Sequence, residues 1–233
     1  MQFDGFKKEG TKFLKDLYVN NTKVWFENNR HIWEENILNP NKAFVDEMGE
    51  TLQILVPTIN AIPKASKSLF KIYRDTRFSK DKTPMKEKVG IIFWQGTTHR
   101  MDSSSFYFFY TRDTYYIGTG MRDFKTPMLK VYREYIKNET KAAELEKILN
   151  ELKEKGYDLC APRYKRIPKG IDKEYKYAHL ALYGTLHAYK EYPIDEKFYK
   201  EEIIDYAFKH FDDMKDLQVW LYELSLVAKE ENN

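Results

Sequence analysis

The sequence predicts an α+β fold, a single domain in which a mainly antiparallel sheet is flanked by N-terminal and C-terminal helices. Three observations carry that prediction. Apolar residues recur three or four positions apart over residues 1–62 and again from 126 onward, the spacing of one helix face. Residues 66–121 instead hold compact runs of β-branched and aromatic residues broken by short polar turns, which is the pattern of strands. Strands this close in sequence pair antiparallel, because a parallel pair needs a crossover of about a dozen residues or more. No Gly-, Pro- or Ser-rich linker interrupts the 233 residues. The expected organisation is therefore one domain over 1–233: a helical part over 1–62, the sheet region over 66–121, and helices with one or two further strands over 126–233.

The elements follow in order. Phe6, Phe13, Leu14 and Leu17 share the face of a first helix, and Asn20 and Asn21 break it. Asn21 is the expected N-cap of a second helix, its side-chain oxygen accepting from a free backbone N–H. That helix buries Trp25, Phe26, Ile32, Trp33 and Ile37. Asn39-Pro40 reads as a restart, a capping residue followed by proline at the first helical position. Phe44, Met48, Leu52 and Leu55 then share a face until Pro57 ends it. Strands are expected at 69–73, 89–94, 106–111 and 115–121, with Arg112-Asp113-Thr114 as the turn between the last two. Thr126-Pro127 opens a helix carrying Leu129, Tyr132, Tyr135 and Ile136. Leu145, Ile148, Leu149 and Leu152 mark another, stopped at Gly156, which is free to take positive φ. An extended stretch over 157–167 and a strand over 186–189 come next. Asp195 is expected to cap a helix reaching Phe211, and Asp213 a last one with Leu217, Leu221, Leu224 and Ala228.

Composition narrows the function classes. With 42% hydrophobic and 16% aromatic residues, the chain can bury a core and is not globally disordered. Lys plus Arg is 39 and Asp plus Glu is 36, a balance that gives no general field for a polyanion. Cys160 is the single cysteine, which excludes an intrachain disulfide and a cysteine-based metal cluster and fits a reducing compartment. The first residues lack the apolar core of an export signal. The most apolar stretch, 52–62, is interrupted by Gln53, Pro57, Thr58 and Asn60 and falls short of a bilayer span. A cytoplasmic protein with no membrane partner is expected.

The densest polar segment is 72–84, leaving a predicted strand and entering a turn. It carries Arg74, Arg77, Lys80 and Lys82 against Asp75 and Asp81. Like charges ~6 Å apart repel by roughly 3 kcal/mol at an effective dielectric of ~20. A convergent set would therefore favour a bound anion, and the planar fork of arginine suits phosphate or carboxylate. On that reading Arg74, Arg77, Lys80 and Lys82 hold a phosphate-bearing or other small anionic ligand, with Arg133 and Lys169 as additions. Asp75 or Asp81 is then the general base, or a Mg²⁺ ligand in a nuclease-like or phosphotransfer site, although no third acidic ligand stands at a telling spacing. The competing reading makes the same residues an internal ion-pair network in a non-catalytic structural or protein-interaction domain. Neither reading fixes a cofactor or commits to a resident metal, and the sequence leaves open whether any reaction is catalysed.

The same segment, Arg74-Asp75-Thr76-Arg77-Phe78-Ser79-Lys80-Asp81-Lys82-Thr83-Pro84, resembles the signature of an uncharacterised family, domain-of-unknown-function family number 2461. The resemblance extends over most of the chain. Asn20-Asn21 followed by Trp25-Phe26 is similar to the family's opening, Gly118-Thr119-Gly120 with Arg133 to its glycine strand and downstream arginine, and the run from Lys165 to Gly170 to its basic stretch. Met85 stands where the family has tyrosine. The resemblance implies a shared fold and supplies no activity.

Other motifs are read conservatively. Lys165, Arg166 and Lys169 form a second basic turn, most simply an exposed one. Gly118-Thr119-Gly120 lacks the rest of a dinucleotide fingerprint and marks a bulge or a close backbone approach. His31, His99, His179, His187 and His210 show no metal-ligand spacing, and no nucleophile elbow is present. Cys160 is expected as a buried, inert thiol. Tyr107, Tyr110, Tyr115 and Tyr116 offer stacking faces for a nucleic-acid partner, or else pack the sheet.

Overall fold

The computed structural model describes residues 2–230. Its α+β architecture is the expected one: a six-stranded antiparallel sheet in the order β1-β2-β3-β4-β6-β5, with helices before and after it. The helices are α1 (Lys8–Val19), α2 (Lys23–Asn28), α3 (Arg30–Trp33), α4 (Asn39–Leu52), α5 (Thr126–Tyr135), α6 (Glu139–Glu154), α7 (Ile203–Asp213) and α8 (Lys215–Glu230). The strands are β1 (Ile59–Asn60), β2 (Val89–Gln95), β3 (Ser105–Tyr110), β4 (Thr114–Met121), β5 (Asp158–Leu159) and β6 (Leu186–Pro193). By contacts the chain groups into two compact units. One comprises Met1–Phe93, Tyr107–Ile117 and Glu191–Lys209; the other comprises Trp94–Phe106, Gly118–Lys190 and His210–Asn233.

The first unit is built on aromatic packing. Strand alternation sends Phe108 and Tyr110 to one face of β3, both at most 2% exposed, and leaves Tyr107 and Phe109 half-buried on the other. Phe108 meets Phe6 and Phe44 with ring centroids 5.5 and 5.0 Å apart, and Phe6 stacks on Phe198 at 4.6 Å. The Tyr110 hydroxyl donates to Asn41 Oδ1 at 2.9 Å, so its buried polar end is satisfied. Gly5 has φ of +104°, and a Cβ there would stand 2.2 Å from the Tyr199 carbonyl oxygen. Only glycine lets the N-terminal segment approach that closely.

The second unit closes around Tyr132 and Trp220, whose rings lie 6.2 Å apart, and Phe124, 4.8 Å from Tyr132. The Tyr132 hydroxyl donates to the Leu180 carbonyl at 2.7 Å, and Trp220 Nε1 donates to that of Lys141 at 3.1 Å. In this unit β5 pairs antiparallel with β6, Asp158 opposite Tyr189 and Leu159 opposite Ala188. Gly120, at φ +146°, would drive a Cβ to 2.3 Å from the Leu186 carbonyl oxygen. Gly120, the second glycine of the pair, is thus a close backbone approach.

Several boundaries differ from expectation, each for a local reason. Thr22, not Asn21, caps α2, accepting from the Trp25 N–H at 3.2 Å. Pro40 does not restart the chain: the backbone stays helical through a π-helical turn over Glu34–Leu38 that leads into α4. A wider turn absorbs the missing proline N–H without breaking the helix. Residues 69–73 form isolated bridges, Leu69 with Ile91 and Tyr73 with Met85, not a strand. The extended stretch after Tyr157 shrinks to β5, and α7 starts at Ile203, with Asp195 capping only a turn through the Phe198 N–H at 3.2 Å.

Candidate functional site

The charged segment lies wholly in the first unit and leaves a two-ended root. The Arg74 N–H donates to the Pro84 carbonyl and the Lys86 N–H to that of Ile72, both at 2.8 Å. Ile72 and Met85 anchor the root in the core, at 8% and 1% exposure. From the junction of α1 and α2, Asn21 holds both backbone groups of Met85: its Oδ1 accepts from the N–H at 3.0 Å and its Nδ2 donates to the carbonyl at 3.1 Å. Beside it, Arg30 donates to Glu27 at 2.7 Å and to the Tyr73 hydroxyl at 2.8 Å, and that hydroxyl donates to Glu27 at 2.8 Å.

Beyond the root, the charges pair within the loop. Asp75 accepts from Arg77 Nε at 2.9 Å, Arg77 Nη2 at 2.6 Å and the Arg77 backbone N–H at 3.2 Å. Asp81 accepts from Arg74, from the Thr83 N–H at 2.9 Å and from the Thr83 hydroxyl at 2.8 Å. Those donors hold both carboxyls at about 2, below the ordinary aspartate value; the guanidinium hydrogen bond is the largest cause in each case. Lys82 donates to the Thr76 carbonyl at 2.9 Å, and the Lys80 side chain is exposed. At the tip Phe78 is 95% exposed, with the Arg77 guanidinium 5.8 Å from its ring centroid.

Arg133 and Lys169 belong to the second unit. The Arg133 guanidinium lies 4.7 Å over the Tyr164 ring, and Lys169 is exposed beside Gly170, as are Lys165 and Arg166. Two of that unit's clefts carry polar side chains of interest. One, of about 380 Å³, has a floor including Met121, Pro127 and Met128, and its acids are already paired, Asp102 with Lys125 and Asp123 with Arg163, each at 2.6 Å. The other, of about 520 Å³, places His179 Nε2 3.3 Å from Glu146. Cys160 is buried, and burial pushes its thiol up.

A second feature of the first unit includes Tyr107 and Tyr116, two of the four tyrosines expected as stacking faces, together with Phe70, Phe109, Lys86 and Lys88, which the sequence did not single out. The half-buried face of β3 and β4 carries Tyr107, Phe109 and Tyr116, with Phe70 of the bridged stretch beside it. Phe70 and Phe109 are 5.7 Å apart by ring centroid, and Tyr107 and Phe109 5.2 Å. Lys88 Nζ lies 4.4 Å over Phe109 and 4.7 Å over Tyr116, and Lys86 Nζ 5.7 Å over Phe70. The tyrosines singled out from sequence therefore divide: Tyr110 and Tyr115 face the core, Tyr107 and Tyr116 do not. The signal was present in the alternation of Phe106 to Tyr110.

Residues 9–220 match the conserved hypothetical protein family DUF2461. No curated protein matches the chain. Among the described residues no helix is long and apolar enough to cross a membrane.

Proposed function

The chain belongs to the conserved hypothetical protein family DUF2461, and we propose that it is a non-catalytic interaction domain in which segment 74–83 is a self-neutralised clasp. The observation that carries this reading is the pairing inside the loop: each aspartate is bound by an arginine of the same loop and by a backbone N–H two residues on. A general base works best with a pKa near the operating pH. Carboxyls at about 2 are ionised but feebly basic. Two guanidiniums already bonded to carboxylates have little left to offer an incoming anion, which would have to displace them.

The anion-binding reading keeps one observation in its favour. Four cations against two carboxylates leave the loop net positive, with the Lys80 side chain exposed. One experiment separates the two. Thermal unfolding is followed in chloride, phosphate and sulfate at matched ionic strength, for the native chain and for Asp75→Asn and Asp81→Asn. A clasp predicts the same midpoint in all three salts and a lower one for each variant. An anion site predicts stabilisation by phosphate or sulfate that grows when an aspartate is neutralised, and that result would sink the clasp.

A further inference from the structure

From the half-buried sheet face of the first unit we infer a platform for single-stranded nucleic acid, an assignment that rests on the non-catalytic interaction reading and names its partner class. The rings are set as a surface. A Cβ at Gly90 would meet Phe109 Cε1 at 2.5 Å and Phe70 Cδ2 at 2.8 Å, so both rings lie against bare strand backbone. Tyr107 and Tyr116 extend the same face along β3 and β4. The bend just before β2 brings Lys88 Nζ over the Phe109 and Tyr116 rings, and Lys86 Nζ, which also donates to the Lys71 carbonyl at 2.8 Å, lies near the Phe70 ring. Glu87, between the lysines, turns elsewhere: its carboxylate oxygens lie 3.4 Å from Asn21 Nδ2 and 4.0 Å from Arg112 Nη1. The face therefore combines aromatic rings with ammonium groups, and the neighbouring carboxylate is engaged away from it.

That combination fits one partner chemistry. Protein interfaces are depleted in lysine and enriched in arginine, whereas the cations over these rings are both lysines. Single strands bind by stacking unpaired bases on aromatic rings while cations follow the phosphates. A duplex keeps its bases stacked on one another and offers the rings nothing flat. The small net charge of +3 is no obstacle, since the field required is local to the sheet face.

The test is fluorescence anisotropy of labelled single strands of about ten nucleotides, a span within the range of such sites. An unlabelled duplex of equal length competes, and salt is varied from about 50 to about 200 mM. The platform predicts saturable binding of the single strand and at least about tenfold weaker competition by the duplex. Tyr107→Leu and Tyr116→Leu keep apolar area and lose stacking, and each should weaken binding about fivefold or more at an unchanged melting temperature. Lys88→Gln should lower the slope of log affinity against log salt by about 0.7. Binding of duplex and single strand alike, or full binding by both tyrosine variants, overturns the assignment. So does no binding at about 100 μM protein, weaker than the usual range even for non-specific sites, or a dimer of the native chain that Lys88→Gln dissolves. Because the clasp is tested by salt-specific stability, failure of the platform leaves that outcome readable on its own.

Discussion

Asn21→Ala tests the root of the charged loop most directly. Asn21 donates to one backbone group of Met85 and accepts from the other, at 3.1 and 3.0 Å, across 64 positions of chain. Met85 is 1% exposed, so water cannot readily replace a lost partner. Each net hydrogen bond contributes about 1 kcal/mol, and a buried group left unpaired costs about 1–3 kcal/mol. The truncation should therefore cost about 2–3 kcal/mol. At this chain length each kcal/mol moves the midpoint by about 2–4 °C, giving a fall of about 5–10 °C in calorimetry or thermal circular dichroism. Thr22→Ala is the internal comparison. It removes a helix cap worth about 1 kcal/mol, hence about 2–4 °C. Hydrogen exchange at the Met85 amide should accelerate in the first variant and not in the second. If Thr22→Ala proves as damaging as Asn21→Ala, the asparagine is an ordinary turn residue and the root is held by something else.

Two further outcomes follow from buried and paired groups. Asp75 and Asp81 sit at about 2 in the folded chain against an ordinary 3.8. Their stabilisation is full above about pH 4 and is lost as pH falls toward 2; a midpoint-against-pH curve for Asp75→Asn/Asp81→Asn should be flatter than the native one in that window. Tyr132→Phe removes the hydroxyl that donates to the Leu180 carbonyl at 2.7 Å in a fully buried site. It should cost about 1–3 kcal/mol, measured by urea unfolding, with an unchanged midpoint refuting the bond's contribution.

Much of the fold was legible because its signals are periodic. β2, β3 and β4 emerge from runs of aromatic and β-branched residues, and α6 ends one residue before the stretch that leads to Gly156, whose φ of +76° is the conformation expected there. Ambiguity began where a residue has two physical uses. Asn21 has the chemistry of a helix cap, yet its amide is also the right shape to pair with both backbone groups of a distant residue, and nothing local separates the two. Pro40 signals a helix start in sequence, but a π turn accommodates it inside continuous helix. Residues 69–73 have strand composition, yet the chain peels away into the loop after two bridges.

The candidate site shows the same limit in electrostatic form. Counting charges over 72–84 gives a cationic excess, and an excess invites a ligand. Pairing is a question of geometry, and the geometry here is local: Asp75-Thr76-Arg77 and Asp81-Lys82-Thr83 each place an aspartate two residues before a backbone N–H that it accepts, at 3.2 and 2.9 Å. These are the side-chain turns that aspartate favours, and the two repeat within one loop. A carboxylate committed to such a turn holds the backbone shape and attracts a guanidinium at once. Protonating it, or using it to take a proton, would release both. On the clasp reading the aspartates are committed to turns rather than to proton transfer, and on the platform reading a stacking base must in the same way move the lysine ammoniums that lie over Phe109, Tyr116 and Phe70.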